Sequence, residues 1–162
     1  MPQESTSKGT VSLRVEDVMT AGVITIDEDA SVKEAADVMN QNEISCIIAV
    51  RKRKAVGIIT ERDLLKRIIV EGKNAKETKV KEIMSKPLIV VSPDTSLEEA
   101  VQLMFQKKIK KLPVIYKSRL LGLVSLTDIT RCQPALMKLL KSFAAAQDIP
   151  KSMKKVIDSY IV

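Results

Sequence analysis

The chain of 162 residues has no histidine and no tryptophan, and aromatic residues make up only 2% of it. Without histidine there is no imidazole general base, no Ser-His-Asp triad and no histidine metal site. Its two cysteines, Cys46 and Cys132, are far apart and form no Cys-x-x-Cys motif of a zinc or redox site. These absences disfavour the common hydrolase, oxidoreductase and zinc-protein classes.

Long apolar runs are also missing. No run approaches the roughly 18 residues that a membrane span needs. The polar start, Met1 to Thr10, lacks the apolar region of a secretion signal. We therefore expect a cytoplasmic chain with reduced cysteines and no membrane partner. The apolar content of 45% is sufficient for a folded core.

Positive charge is concentrated in the second half of the chain. Residues 1–79 hold 13 basic and 13 acidic side chains, whereas the remainder holds 14 and 7, which accounts for the net charge of +7. Six of these cations lie between Lys107 and Arg119, with no acid among them. The stretch is either an ordinary solvated surface or an anion-binding one.

A tandem repeat organises the chain. A shift of 65 residues aligns Val15–Leu64 with Val80–Ile129 without a gap. Each unit reads as a helical turn (Val15–Met19; Val80–Met84), a short extended stretch (Val23–Ile26; Leu88–Val91), a helix, two strands and a second helix.

Local signals support these elements. Asp29 or Ser31, and Asp94 or Ser96, are candidate N-caps of the first long helix of each unit. The predicted strands are Cys46–Val50 with Ala55–Thr60, and Leu112–Tyr116 with Leu120–Ser125. Gly57 and Gly122 interrupt the second strand of each pair, where a missing Cβ permits close approach of a backbone or a ligand. The helix after Thr60 is predicted to run to about Gly72.

The domain organisation follows from the repeat. We expect a flexible N-terminus at 1–12, a first unit at 13–72, a linker at 73–79, a second unit at 80–132 and a helical tail at 133–162. The tail carries one apolar stripe at Leu136, Leu139, Leu140 and Phe143 and another at Met153, Val156, Ile157, Tyr160 and Ile161. These stripes either pack on the repeat pair or form a dimer interface.

The repeat resembles the CBS domain, and two in tandem resemble a CBS pair, or Bateman module. The resemblance rests on Val18-Met19-Thr20 and Ile83-Met84-Ser85, and on Gly57-x-x-Thr60-x-x-Asp63 and Gly122-x-x-Ser125-x-x-Asp128. It implies an α/β (α+β) fold of two β-α-β-β-α units with pseudo-twofold symmetry, followed by a helical extension. It also implies a non-catalytic regulatory module that binds an adenosine compound between the units.

The resemblance implies a set of ligand residues, and their chemistry fits adenosine. Asp63 and Asp128 can accept from ribose hydroxyls, while Thr60, Ser125 and the helix N-termini can meet a phosphate. The alternative is helix capping alone, with Thr60 or Ser125 as the N-cap and the aspartate three residues later. Arg62 could reach a phosphate; its counterpart, Thr127, is neutral.

The start of the first strand in each unit completes the predicted site. Lys110 and Lys111 stand where the family often carries a basic residue, and Ser45 and Cys46 replace them in the first unit. We therefore expect Arg62 and the two lysines to serve different clefts. Adenine would lie among apolar segments, which are equally well explained as core: Ile24, Thr25, Cys46 and Ile47, and Ile89, Val90, Leu112 and Pro113.

The expected ligand is therefore AMP, ADP, ATP or S-adenosylmethionine, with no prosthetic group and no metal. The expected partners are a second copy of the chain in a homodimer and an unidentified protein. The alternatives are a nucleic-acid-binding protein that uses Lys107–Arg119 and a structural dimer with empty clefts. Few aromatics are available for base stacking, which disfavours nucleic acid.

Overall fold

The computed structural model describes residues 12–132, 145–146 and 148–160. The first unit contains α1 (Val15–Val18), β1 (Thr20–Ala21), β2 (Thr25–Asp27), α2 (Val32–Gln41), β3 (Cys46–Arg51), β4 (Lys54–Thr60) and α3 (Glu61–Leu64). A π-helical segment, Leu65–Ile69, continues α3 directly.

The second unit repeats this order. It contains α4 (Val80–Ile83), α5 (Leu97–Lys107), β5 (Lys111–Tyr116), β6 (Arg119–Ser125) and α6 (Leu126–Cys132). A further helix, α7 (Lys151–Tyr160), follows. The fold is therefore mixed α+β, with two repeats that each combine a sheet with helices.

Serine caps start the long helix of each unit. Ser31 Oγ accepts from the backbone N–H of Glu34 at 3.1 Å, and the Glu34 carboxylate accepts from the backbone N–H of Ser31 at 2.7 Å. Ser96 and Glu99 make the same reciprocal pair in the second unit, at 3.2 Å in both directions. These capping boxes satisfy N–H groups that the helix itself leaves unpaired. The serines, not the aspartates, are thus the caps.

The two sheets exchange a strand between the units. One sheet has the order β2-β3-β4, and the other has the order β1-β6-β5. β1 of the first unit thus pairs antiparallel with β6 of the second, Thr20 opposite Leu123 and Ala21 opposite Gly122. The reciprocal contact is a single bridge between Ser85 and Ile58 of β4.

The opening helices are exchanged in the same way. The Val15 N–H donates to the carbonyl of Thr95 at 2.8 Å, and the Val80 N–H donates to that of Ala30 at 2.9 Å, which is the equivalent position one repeat earlier. Val15 is fully buried in the core of the second unit, and Val80 is fully buried in the core of the first. Each core is therefore completed by the other unit, and neither can close alone.

The strand glycines allow this exchange. A Cβ on Gly57 would lie 2.5 Å from Met84 Sδ, and a Cβ on Gly122 would lie 2.8 Å from the carbonyl oxygen of Thr20. Real Cβ atoms essentially never come this close to other heavy atoms. The predicted close approach is confirmed, and its partner is the opening segment of the other unit.

The last helix packs on the second unit. Met153 and Ile157 of α7 are 0% and 2% exposed and belong to the same core as Leu126 and Ile129 of α6. This favours packing on the repeats over the dimer interface for the second apolar stripe. The first stripe, at Leu136, Leu139, Leu140 and Phe143, lies outside the described residues.

Two expectations for local structure need adjustment. The extended stretch Leu88–Val91 forms only one bridge, Val91 to Val114, and not a strand like β2 of the first unit. The helix after Thr60 changes from α to π geometry at Leu65 rather than continuing as one α-helix to Gly72. Residues 1–11 of the expected flexible N-terminus lie outside the described residues, and the domain boundaries stay a prediction.

Candidate functional site

Two equivalent carboxylates lie in the first turn of the helix that follows the second strand. The Asp63 Oδ2 accepts from the backbone N–H of Thr60 at 2.9 Å and from its hydroxyl at 3.1 Å. The Asp128 Oδ2 accepts from the N–H of Ser125 at 3.2 Å and from its hydroxyl at 2.7 Å. Both motifs therefore form capping boxes, and the capping interpretation holds for Oδ2 in each unit.

The second oxygen of Asp63 has a cationic neighbour that the sequence analysis missed. Asp63 Oδ1 lies 3.7 Å from Arg67 Nε, and the Arg67 guanidinium also donates to the carbonyl of Ile83 at the end of α4. The i, i+4 spacing of an acid and an arginine on a helix could have predicted this pair. The counterpart of Arg67 in the second unit is the exposed Cys132, so the two carboxylates differ in setting.

Backbone hydrogen bonds hold each strand start against a helix start. The N–H of Glu61 donates to the carbonyl of Ser45 at 3.1 Å, and the N–H of Leu126 donates to that of Lys110 at 2.8 Å. These bonds use residues one repeat apart and fix the side chains of the predicted phosphate region beside the first turn of each helix.

Three cations from both units meet at this junction. The Lys111 ammonium donates to Ser45 Oγ across the boundary between the units. Partial burial, and then the positive charges of Lys111 and Arg62, lower the pKa of Lys110. Arg62 follows Glu61, whose backbone N–H donates to the carbonyl of the same Ser45 that Lys111 contacts. We name Arg62, Lys110 and Lys111 the cation cluster. The expected assignment of Arg62 and the two lysines to different clefts stays a prediction.

The cation cluster gives the site a strong asymmetry. One repeat apart, its three positions hold Thr127, Ser45 and Cys46, which carry no positive charge. Burial raises the pKa of the Cys46 thiol, and nearby Lys111 partly opposes that shift. Cys46 therefore adds no charge to this region at neutral pH.

The predicted adenine-contacting residues divide by burial. Ile47 and Leu112 are 1% and 0% exposed, and Pro113 is buried beside them. Their side chains are core, so only their backbone could meet a ligand. Ile24 and Ile89 are half-buried against the two cores, and Thr25 is exposed.

Val90 is 39% exposed and lies in a groove between the hairpins, together with Val56 and Ile115. Neither the cation cluster nor Asp63 lines this groove.

The basic stretch Lys107–Arg119 does not form one surface. Lys107 ends α5, Lys111 begins β5, and Lys117 and Arg119 lie at the turn between β5 and β6. Folding thus divides the stretch into one group of cations at the start of β5 and another at its end.

The described residues offer neither a metal site nor a membrane-spanning helix. Among the residues that the structure describes, no group of three or more Cys, Asp or Glu side chains is placed to hold a metal ion. Within the same residues, none of the helices is both long and apolar enough to cross a membrane.

Comparison with known proteins places this geometry in a family. The CBS domain matches residues 15–70 and 80–134. The CBS domain-containing protein YhcV of Bacillus subtilis is 36% identical over 115 residues, which span 71% of this chain and 81% of that protein. The mitochondrial CBS domain-containing protein CBSX3 of Arabidopsis thaliana is 39% identical over 64% of this chain and 52% of its own length.

Enzymes also match, but only in part. Inosine-5'-monophosphate dehydrogenase of Methanocaldococcus jannaschii is 35% identical over 73% of this chain, and the match spans 23% of that enzyme. The chain therefore spans most of one curated relative, about half of another and under a quarter of the enzyme.

Solved structures agree on the fold. The CBS domain structure NE2398 has a TM-score of 0.69 and 29% identity, over 74% of this chain and 96% of that one. A hexameric CBS-CP12 protein from bloom-forming cyanobacteria has a TM-score of 0.69 and 26% identity, over 93% and 94% of the two chains. Because the CBS domain matches both repeats, the chain belongs to the CBS domain family, as a tandem CBS pair.

Proposed function

We propose that this CBS pair is a non-catalytic sensor that binds a phosphorylated adenosine nucleotide between its units. The cation cluster is the observation that carries the proposal, because the Lys111 ammonium of one unit donates to Ser45 Oγ of the other, next to the helix start that carries Arg62. A polyanion bound there would neutralise three like charges, whose mutual repulsion otherwise opposes their proximity.

The neighbouring groups support a nucleoside rather than a simple anion. The Asp63 and Asp128 carboxylates use Oδ2 in the cap, and in each unit the geometry leaves Oδ1 for ribose hydroxyls or an ion pair. In the first unit Oδ1 of Asp63 already faces Arg67. A ribose hydroxyl would therefore share this oxygen with Arg67 or displace the Arg67 side chain. Half-buried Ile24 and Ile89 offer apolar contact for a base.

The charge of the cluster sets a preference among the ligands of the family. ATP and ADP carry more negative charge than AMP, whereas S-adenosylmethionine carries a sulfonium cation. We therefore expect affinity to fall in the order ATP and ADP, AMP, S-adenosylmethionine, because the Coulomb term grows with ligand charge.

Calorimetric titration with these four ligands and NAD tests the proposal. The parent should bind ATP, and Asp63→Ala combined with Asp128→Ala should abolish binding. Arg62→Ala with Lys110→Ala should bring the affinity for ATP close to that for AMP. No heat and no rise in melting temperature with any ligand at millimolar concentration would refute the sensor and favour a structural module with empty clefts.

A matched variant controls for net charge. Lys151→Ala with Lys155→Ala removes two exposed lysines from α7, which does not contribute to the cation cluster. This variant should retain the parent's affinity for ATP apart from a small long-range effect that added salt removes.

We also propose that the chain forms a homodimer through the exposed side of the π-helical segment and the residue that follows it. Leu65, Ile69 and Val70 there are 56%, 70% and 75% exposed. In the second unit the counterpart of Leu65 is Thr130, which is only 3% exposed, and α7 packs on its helix. Sedimentation velocity should show a dimer that Ile69→Asp with Val70→Asp converts to a monomer; a monomeric parent would refute it.

A further inference from the structure

An apolar groove lies between the two β-hairpins. Its volume is about 690 Å³, and its apolar floor includes Val56, Leu88, Val90 and Ile115. Arg51 of the first unit and Lys86 of the second stand at its edge. We name this feature the hairpin groove. None of the hydroxyl, carboxylate or cationic residues of the proposed nucleotide site lines the hairpin groove.

Both hairpin turns carry cations immediately beyond the groove. Arg51 pairs with Lys54 across the first turn, and Lys52 and Arg53 lie between them. Lys117 and Arg119 occupy the second turn, which follows Ile115 of the groove floor. All of these cations are exposed, and neither turn contains an acid.

Few of these cations have a partner among the residues that the structure describes. Arg51 Nε lies 3.4 Å from the carboxylate of Glu28, and Lys117 Nζ lies 5.2 Å from the centre of the Tyr116 ring. Lys52, Lys54 and Lys86 have no ion pair with any residue that the structure describes. The groove therefore combines an apolar floor with an unsatisfied positive rim.

We propose that the hairpin groove docks an acidic, amphipathic segment of a partner protein. Apolar side chains of the segment fill the floor around Val90 and Ile115, and its Asp and Glu residues face the cations of both hairpin turns. Charge complementarity of this kind gives specificity and speeds association. The open shape between two protruding turns suits an extended chain better than a small molecule.

The surface composition favours a peptide over a nucleic acid. Tyr116, which is 51% exposed, is the aromatic side chain at this rim, whereas single-stranded binding uses several aromatic platforms for successive bases. The groove floor is aliphatic, and aliphatic pockets take Leu-like or Val-like anchors.

Peptide selection on the full chain, without nucleotide, tests the proposal. A random library of peptides of about 16 residues is selected on the parent and counter-selected on Lys54→Glu with Lys86→Glu. Enriched peptides should carry apolar residues flanked by Asp and Glu. The most enriched peptide, titrated by fluorescence anisotropy, should bind the double variant about tenfold or more weakly.

Two further variants separate the floor and the rim from general electrostatics. Val90→Ser should weaken the same peptide by removing an apolar contact, without a change of charge. Lys151→Glu with Lys155→Glu makes the same charge change on α7 and should leave binding within about twofold of the parent at physiological salt.

Three outcomes would overturn the proposal. The first is the absence of enriched acidic peptides. The second is equal weakening by the groove and α7 variants. The third is tight, groove-dependent binding of oligothymidylate in place of peptide, which would make the surface a nucleic-acid interface. Melting curves of each variant confirm that it is folded, and nucleotide titrations of the same variants keep this result separate from the proposed sensor function.

Discussion

Replacement of the two strand glycines by alanine tests how tightly the units interlock. At Gly122 an added Cβ would lie 2.8 Å from the carbonyl oxygen of Thr20 and 2.7 Å from Met19 Sδ. The backbone of β1 cannot yield without loss of its pairing to β6. Forcing a methyl group into such a packed site costs about 1–3 kcal/mol. The better conformational entropy of alanine offsets about 0.5–1 kcal/mol of that cost.

At Gly57 the closest atoms belong mainly to a flexible side chain. The added Cβ would lie 2.5 Å and 2.8 Å from Met84 Sδ and Cγ, and 3.1 Å from the carbonyl oxygen of Ser85. Met84 can change rotamer more cheaply than a backbone can move. We therefore expect losses of about 2 kcal/mol for Gly122→Ala and about 1 kcal/mol for Gly57→Ala.

Thermal and urea unfolding measure both losses. A change of 1 kcal/mol shifts the melting temperature of a domain of this size by about 2–4 °C. Gly122→Ala should therefore melt about 4–8 °C below the parent, and Gly57→Ala about half as far below it.

Double-mutant cycles then locate the clash. Met84→Ala should recover most of the cost of Gly57→Ala, because two of the three closest atoms leave with the side chain. Met19→Ala should recover less of the cost of Gly122→Ala, because the Thr20 carbonyl remains in place. A parent-like Gly122→Ala, or its complete rescue by Met19→Ala, would refute the exchanged packing.

Three further predictions concern the caps, the cysteines and the last helix. Hydrogen bonds from Ser31 hold the pKa of Glu34 below its ordinary value of 4.5. The charged carboxylate therefore stabilises the folded state above that pH, and this stabilisation is lost as the pH falls through the folded pKa. Glu34→Gln should flatten the acid side of a plot of melting temperature against pH, and an unchanged slope would contradict this. The exposed Cys132 should react rapidly with Ellman's reagent, whereas the buried Cys46, whose pKa is raised by burial, should react only when the protein unfolds. Rapid reaction of both thiols would contradict the fold. Met153→Ala, at a fully buried site, should cost about 2–5 kcal/mol in urea unfolding, and a loss below about 1 kcal/mol would mean that α7 is not part of the core.

The pattern of the sequence was enough to predict the repeat and its elements. Ser31 and Ser96, each one of two candidate caps, start the long helices, and the hairpin strands of both units lie within a residue of their predicted bounds. These features depend on local periodicity and on interactions over three or four residues, which are visible in one chain read in order. The glycines inside the second strands also predicted a close approach.

Other features involve residues more than forty positions apart. The exchange of α1 and α4 between the cores, and the meeting of Arg62 with Lys110 and Lys111, depend on how two similar units pack. Two identical-looking repeats give no local signal of which unit receives which opening segment. The sequence by itself determined the family, the repeated units, the candidate caps and the identities of the charged residues. Only the tertiary structure decided that those charges share one junction, because the pairing of β1 with β6 and of Ser85 with Ile58 brings the two halves together there.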